Sequence, residues 1–480
     1  MLASAAICGF NLGRQSGAAD GGGAGMAGAI DEWAGSARIQ GFCAPGFEPV
    51  LAAFRDNFLS RGEVGAGVAL SVGGVTRVDL WGGASRVPAG LQADALPGVK
   101  AEVRADAQLN GLGADTDTPW TRDSLVVVFS CTKAATALAA HVLIDRGLLD
   151  PEAPLTEYWP EFGAAGKADV TVAMMLNHSA GVPALRAPVA KGGFLDWDYM
   201  VGRLAAEAPF WEPGTRNGYH MSTFGWTVGE LVRRVSGQSL GAFFRAAIAE
   251  PLGIDFWIGL PDAQHPRVSG LLPWLPERGA PVPAFTRALQ LRLKDPEPSL
   301  QYLALMNTGG HRSDTPAAWR AEFGGGGGIA NARALAGMYA PLANGGTHNG
   351  VRIVSAEQVE RRRAVSAATQ VDATLLMPTR FGAGFMRSMD NRRRPAGHME
   401  SMLLGRSAFG HAGAGGSVGF ADPELGLAFG YAMNRMGAGI LLNERGQALV
   451  DATYRVLGCA GTATGAPPGA WTPSRWGASI

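Results

Sequence analysis

Ser130-Cys131-Thr132-Lys133 places a hydroxyl and an amine three positions apart. A serine hydroxyl becomes an effective nucleophile only when a nearby base takes its proton. A lysine can be that base only if desolvation lowers its pKa towards neutrality. The surroundings favour this. Leu125-Val126-Val127-Val128-Phe129 precedes the group as an apolar segment, and Ala134 to Gly147 follows, rich in helix formers and ended by glycine. Ser130 therefore falls at the start of a buried helix, with Lys133 on the same face and first-turn N–H groups aimed at any developing oxyanion. The same spacing also fits a serine cap followed by a surface lysine, and S-x-x-K alone is a weak motif.

A second serine competes. Gly415-Gly416-Ser417-Val418-Gly419 matches G-x-S-x-G, the elbow that presents a nucleophile between a strand and a helix. Here Ser417 leads into a strand and hairpin, and no histidine follows it, the last being His411. The elbow reading fails on both counts.

The elements that must position Ser130 follow from patterning. Phe47 to Phe54 has helical apolar spacing, and Gly65–Val72, a Gly73-Gly74 turn and Val75–Trp81 read as a hairpin. The chain is mostly helical from 130 to about 260, as in Trp226–Val235 and Leu240–Ile248. Residues 261–320 are an excursion with one helix. Asn331 caps a helix over Ala332–Tyr339, preceded by the Gly324–Gly328 run, a hinge or turn with no G-K-[ST] after it. A second hairpin spans Gly416–Tyr431, with a terminal helix near Gln447–Leu457. Strands at both ends with helices between imply an α+β fold. Residues 1–40 read as a flexible Gly/Ala-rich extension, 41–460 as one domain (α/β part 41–129 and 321–460, helical part 130–320) and 461–480 as a tail. The 84–118 stretch is a long loop.

Composition narrows the function classes. The 480 residues are 47% hydrophobic and 17% charged with zero formal net charge, which favours neither nucleic acid nor an anionic membrane. Cys8, Cys43, Cys131 and Cys459 are scattered, which indicates neither a zinc site nor a disulfide framework and fits a reducing compartment. No apolar run reaches the length of a transmembrane helix. The N-terminus lacks a basic region ahead of its apolar part, so a cytoplasmic location is expected. The histidines have no metal-ligand spacing, and no cofactor is implied.

Several ordered motifs together resemble the serine β-lactamase/penicillin-binding-protein-like hydrolases, closest to the family VIII carboxylesterases, over residues 44 to 458. They are Val128–Lys133, Leu176-Asn177-His178-Ser179-Ala180-Gly181, Trp211-Glu212-Pro213-Gly214-Thr215 with Tyr219-His220, Phe409–Ser417 and Gly419–Pro423. The resemblance implies a β-lactamase/transpeptidase-like antiparallel sheet flanked by helices, with a mostly helical insertion. It implies Ser130 as acyl-accepting nucleophile and Lys133 as its activator. Tyr219 is implied as the tyrosine of a Y-x-[NS]-like element, a phenolate beside the Lys133 ammonium that takes the serine proton and returns it to the leaving alcohol. His411-Ala412-Gly413 matches the third element, K-T-G or H-x-G. His411 would then bond Tyr219, Gly413 would admit the substrate, and the Ala414 N–H would pair with that of Ser130 as oxyanion hole. The resemblance marks His178 as structural.

Departures from the family pattern bear on substrate. No asparagine follows Tyr219 to hold a side-chain amide, and histidine replaces the K-T-G lysine that attracts a carboxylate. Trp197, Phe210, Trp211 and Phe385 are offered instead as an apolar lining. The expected activity is hydrolysis of small carboxylic esters through an acyl-enzyme. The alternatives are a β-lactam or amide hydrolase on the same site, or an inactive binding scaffold. The expected partner is a small-molecule ester, with no nucleic acid or membrane, and the sequence leaves the oligomeric state open.

Overall fold

The computed structural model describes residues 28–85, 118–274, 287–288, 298–460 and 471–473. Its first elements are strands β1 (Ala29–Ala34) and β2 (Ala37–Cys43), helix α1 (Glu48–Ser60), and the hairpin β3 (Gly65–Val72) and β4 (Val75–Gly83). After the short β5 (Val126–Val127) come helix α2 (Cys131–Asp145) and, further on, α3 (Thr223–Ser236). Next are β6 (Ile329–Ala330), α4 (Ala332–Ala343), β7 (Ala367–Thr369), β8 (Thr379–Phe381) and β9 (Met386–Arg387). The last are β10 (Phe409–Ala412), β11 (Val418–Asp422), β12 (Leu427–Met433) and α5 (Glu444–Val456). Ten strands form one antiparallel sheet in the order β1-β2-β4-β3-β12-β11-β10-β9-β8-β7. No helix among the described residues is long and apolar enough to cross a membrane.

Alternation along the central strands assigns the two faces. In β12, Leu427, Phe429, Tyr431 and Met433 point with Val68 and Leu70 of β3 into the core shared with Val50 and Phe54 of α1 and Leu449 and Val450 of α5. The intervening Ala428 and Ala432 face α4. That face is small because α4 lies almost on the sheet. A Cβ on Gly430 would stand 2.2 Å from the Ala332 carbonyl. Helix α2 packs on α3 and on β10 and is buried nearly all round, from Cys131 to Leu143. Its run of alanines lets the helical region close over it, and its N-terminus meets β10 at the cleft between sheet and helices.

The hairpins, the Asn331 cap and the terminal helix agree with the sequence reading. The extension does not extend to residue 40. Residues 29–43 are the edge hairpin of the sheet. That hairpin buries only Ala34, Ala37, Ile39 and Cys43, so its alternation is faint in the sequence. Residues 1–27 and most of the 84–118 loop lie outside the described residues. Within the expected tail, Thr472-Pro473 pairs with Cys459-Ala460, and Trp471 stacks on Tyr454 at 5.7 Å.

Candidate active site

Ser130 is the residue before the first turn of α2, and Phe129 ahead of it holds φ at +45°. A bulky residue in that region is strained, by about 1–3 kcal/mol. The local bonds hold it there. The Phe129 carbonyl accepts from the Thr132 amide at 2.9 Å and from its hydroxyl at 2.5 Å, and that hydroxyl in turn accepts from the Gly328 amide at 2.8 Å. The turn leaves Ser130 part-exposed at the cleft while the helix behind it is sealed.

Lys133 is fully buried and reaches back one turn, with Nζ 3.2 Å from Ser130 Oγ. Nζ also meets the Met221 carbonyl at 2.5 Å and the Gly325 carbonyl at 2.6 Å. Carbonyls only accept, so they use two N–H groups. A neutral amine then has one lone pair left, which faces the serine. Burial brings this amine from 10.5 to about 7. That shift corresponds to about 5 kcal/mol against the charged form. The Tyr219 ring centroid lies 4.8 Å from Nζ, a cation–π geometry worth about 2 kcal/mol to the ammonium when desolvated. Desolvation wins, and a large share of Lys133 is uncharged at neutral pH.

Tyr219 differs from expectation. Its phenol is buried, and burial pushes its pKa up rather than down, with Ser130 countering only in part and Asp372 adding to the rise. Above pH 7 the neighbouring Lys133 is mostly uncharged and offers little ammonium to favour phenolate. The hydroxyl lies near enough to Ser130 to feel it, yet meets no partner at bonding distance.

Three histidines surround this tyrosine, and all are neutral. His220 holds its proton on Nδ1, 2.7 Å from the Gly218 carbonyl, and accepts the Val182 amide on Nε2 at 3.1 Å. His178, at φ +68°, accepts the His220 amide on Nδ1 at 3.2 Å, and its ring lies 4.9 Å from that of Tyr219. This is a structural role, as expected. His411 Nδ1 donates to the Ala412 carbonyl at 2.7 Å, leaving Nε2 as a buried acceptor without a partner. Burial, with the neighbouring Lys133, lowers His411 to about 3; burial lowers His220 to about 4. The expected His411–Tyr219 bond is not formed: the rings lie 6.1 Å apart and both facing polar groups are unpartnered. His411 therefore presents a lone pair where a lysine would present a cation.

The third element passes directly over the nucleophile turn. Cys131 Sγ meets the His411 carbonyl at 3.3 Å. A Cβ on Gly413 would stand 2.3 Å from the Val128 carbonyl, so glycine is needed there for the close approach of two backbones rather than to admit substrate. Among the described residues, no acceptor takes the N–H of Ser130 or of Ala414, whereas the Gly413 amide is spent on the Ser417 carbonyl at 2.7 Å. The two amides expected to form an oxyanion hole are thus free. Ser417 is fully buried with an unpartnered hydroxyl and leads into β11. Phe385 packs on Phe409 in the core, and Trp197 donates to Glu230 at 2.8 Å, so neither is shown lining the cleft. Trp211 lies against His220.

Sequence reasoning missed the Met221 and Gly325 carbonyls, which carry no side-chain signal, and Asp372. The glycine run is not only a hinge. Its carbonyls hold Lys133 and, through Gly324, the Thr136 hydroxyl at 2.9 Å.

A family model for β-lactamases matches residues 47–452. The chain is 34% identical over 421 residues to the esterase/β-lactamase LipL of Mycobacterium tuberculosis, covering 85% of each. Its fold superposes on the crystal structure of a family VIII carboxylesterase with a TM-score of 0.70 and 37% identity, covering 87% of this chain and 99% of the other. A penicillin-binding-protein homologue from Caulobacter crescentus superposes with a TM-score of 0.70 at 32% identity, covering 87% and 99%.

Proposed function

This chain belongs to the β-lactamase family, and from that premise we propose that it is a serine carboxylesterase acting through an acyl-enzyme on Ser130. The single observation that carries the reading is the bonding of Lys133 Nζ, two carbonyls plus Ser130 Oγ at 3.2 Å, which suits a neutral amine beside a nucleophile. Lys133 takes the hydroxyl proton as Oγ attacks the ester carbonyl. The amides of Ser130 and Ala414 receive the oxyanion. Tyr219, kept protonated by burial, gives a proton to the departing alcohol and is resupplied from the Lys133 ammonium. Water repeats the sequence in reverse order to release the acid.

Esters are favoured over β-lactams by the loss of a cation in the third element. β-Lactam antibiotics and D-Ala-D-Ala peptides carry a carboxylate, and the buried, uncharged His411 offers it none. The likeness to a family VIII carboxylesterase supports the same choice, and LipL is named both esterase and β-lactamase. Cys43 and Cys131 are buried free thiols, which fits a cytoplasmic setting. The test is a side-by-side rate measurement on short-chain p-nitrophenyl esters and a chromogenic cephalosporin. Ester turnover exceeding cephalosporin turnover by at least about a hundredfold in kcat/KM is expected; comparable or reversed efficiencies would overturn the substrate assignment.

A further inference from the structure

Asp372 is a fully buried carboxylate far from Ser130 in sequence, with no bond to a basic side chain among the described residues. Every partner it has is a neutral donor. Oδ1 accepts the amides of Tyr219, Thr374 and Leu375, each at 2.9 Å. Oδ2 lies 3.1 Å from the Tyr219 amide and 3.1 Å from the Thr379 hydroxyl. Three N–H groups converge on one oxygen and favour the carboxylate, against a burial that raises its pKa. The same turn grips the neighbouring chain, with the Ala373 amide on the Asn217 carbonyl at 2.9 Å and Gln301 Nε2 on the Ala373 carbonyl at 2.8 Å.

The tyrosine this turn holds has no hydrogen bond at its own hydroxyl. Its oxygen is placed by the backbone anchor and by ring packing, with His178 at 4.9 Å on one side, and one stretch of chain supplies both the anchor and a second packed ring. Phe381, two residues beyond Thr379, stacks on the Tyr219 ring at 5.8 Å and 6°. A loop formed for its own sake would not need to spend its carboxylate on residue 219.

We propose that Asp372 is a positioning residue for Tyr219, fixing the phenol where it protonates the leaving alcohol. This rests on the proposed role of Tyr219. It predicts a defect that depends on the leaving group. Ethoxide is strongly basic and must be protonated as it departs, whereas p-nitrophenolate leaves without help. A carboxylate that only stabilised the fold would affect both esters alike.

The experiment compares kcat/KM, which reports acylation, on ethyl butyrate and p-nitrophenyl butyrate for wild type, Tyr219→Phe, Asp372→Asn and Asp372→Ala. Tyr219→Phe should lose about a hundredfold or more on the ethyl ester and less than about tenfold on the nitrophenyl ester. Asp372→Ala should show the same selectivity with a smaller loss. Asp372→Asn, isosteric and with one oxygen still able to accept, should lose about three- to tenfold on the ethyl ester alone. If Asp372→Ala does not fold, the Asn variant decides. Equal losses on both esters, or no loss in Asp372→Asn, overturn the positioning role. A Tyr219→Phe variant without selectivity would instead remove the premise, so the two failures are distinct.

Discussion

Mild acid is expected to switch hydrolysis off through Lys133. The residue must be uncharged to take the Ser130 proton, and burial puts its midpoint at about 7. Above that pH the amine is free and activity stands on its plateau. One unit below it, about a tenth of the amine is free, so kcat/KM at pH 6 should be about a tenth of the plateau value. The other ionisable groups around the site do not interfere near neutrality. His220 and His411 stay neutral down to about 4 and about 3, His178 is depressed as well, and the phenol of Tyr219 and thiol of Cys131 are pushed up. The assay is kcat/KM against pH on p-nitrophenyl butyrate, read at the isosbestic wavelength of the phenol. One ionisation near pH 7 with unit slope is expected. A midpoint below about 5, or near the 10.5 of an ordinary lysine, would refute the neutral-amine argument. Lys133→Arg, whose guanidinium does not deprotonate, should lose at least about a thousandfold.

Gly225→Ala should damage catalysis from behind. Its Cβ would stand 2.0 Å from the Gly325 amide nitrogen, a backbone atom that cannot swing aside, so the glycine run must shift and take its carbonyl from Lys133. Losing a bond of that kind is worth about 1.5–3 kcal/mol, so kcat/KM should fall about ten- to a hundredfold, and an unchanged value would contradict the role given to Gly325. His220 should also make the fold acid-sensitive. Its folded pKa of about 4 lies below the unfolded 6.5, so its contribution is complete above 6.5 and is lost as pH falls towards 4. Between pH 7.5 and 5 that share is about 2 kcal/mol. Urea unfolding of His220→Asn should therefore show a drop over this interval smaller than wild type by about that amount, and an identical drop would argue against a buried neutral histidine.

The parts of this molecule legible in the sequence are those written in local chemistry. The apolar run into Ser130 and the alanine-rich helix after it put that serine at the head of a buried helix, where the structure has it, and Ser417 leads into a strand, as its surroundings indicate. The hairpin around Gly73-Gly74 is set by its own turn. What escaped is non-local. The edge hairpin at 29–43 is held by β4 more than by its own pattern. The carbonyls that hold Lys133 in place belong to residues 221 and 325, and no residue type announces a carbonyl. Asp372 followed by Thr374 carries the mark of an Asx turn, but its partner Tyr219 lies 153 positions away. The phenolate expectation for Tyr219 failed because it assumed a charged lysine, and the burial that makes Lys133 a base also removes that charge.

The central claim is that Ser130, not Ser417, carries the acyl group. A fluorophosphonate probe tests it directly, with the modified peptide located by mass spectrometry in wild type, Ser130→Ala and Ser417→Ala. One equivalent on Ser130 is expected in wild type and Ser417→Ala, with no labelling in Ser130→Ala and ester turnover reduced by at least about four orders of magnitude. Label on Ser417, or hydrolysis that survives Ser130→Ala and disappears in Ser417→Ala, would contradict the account.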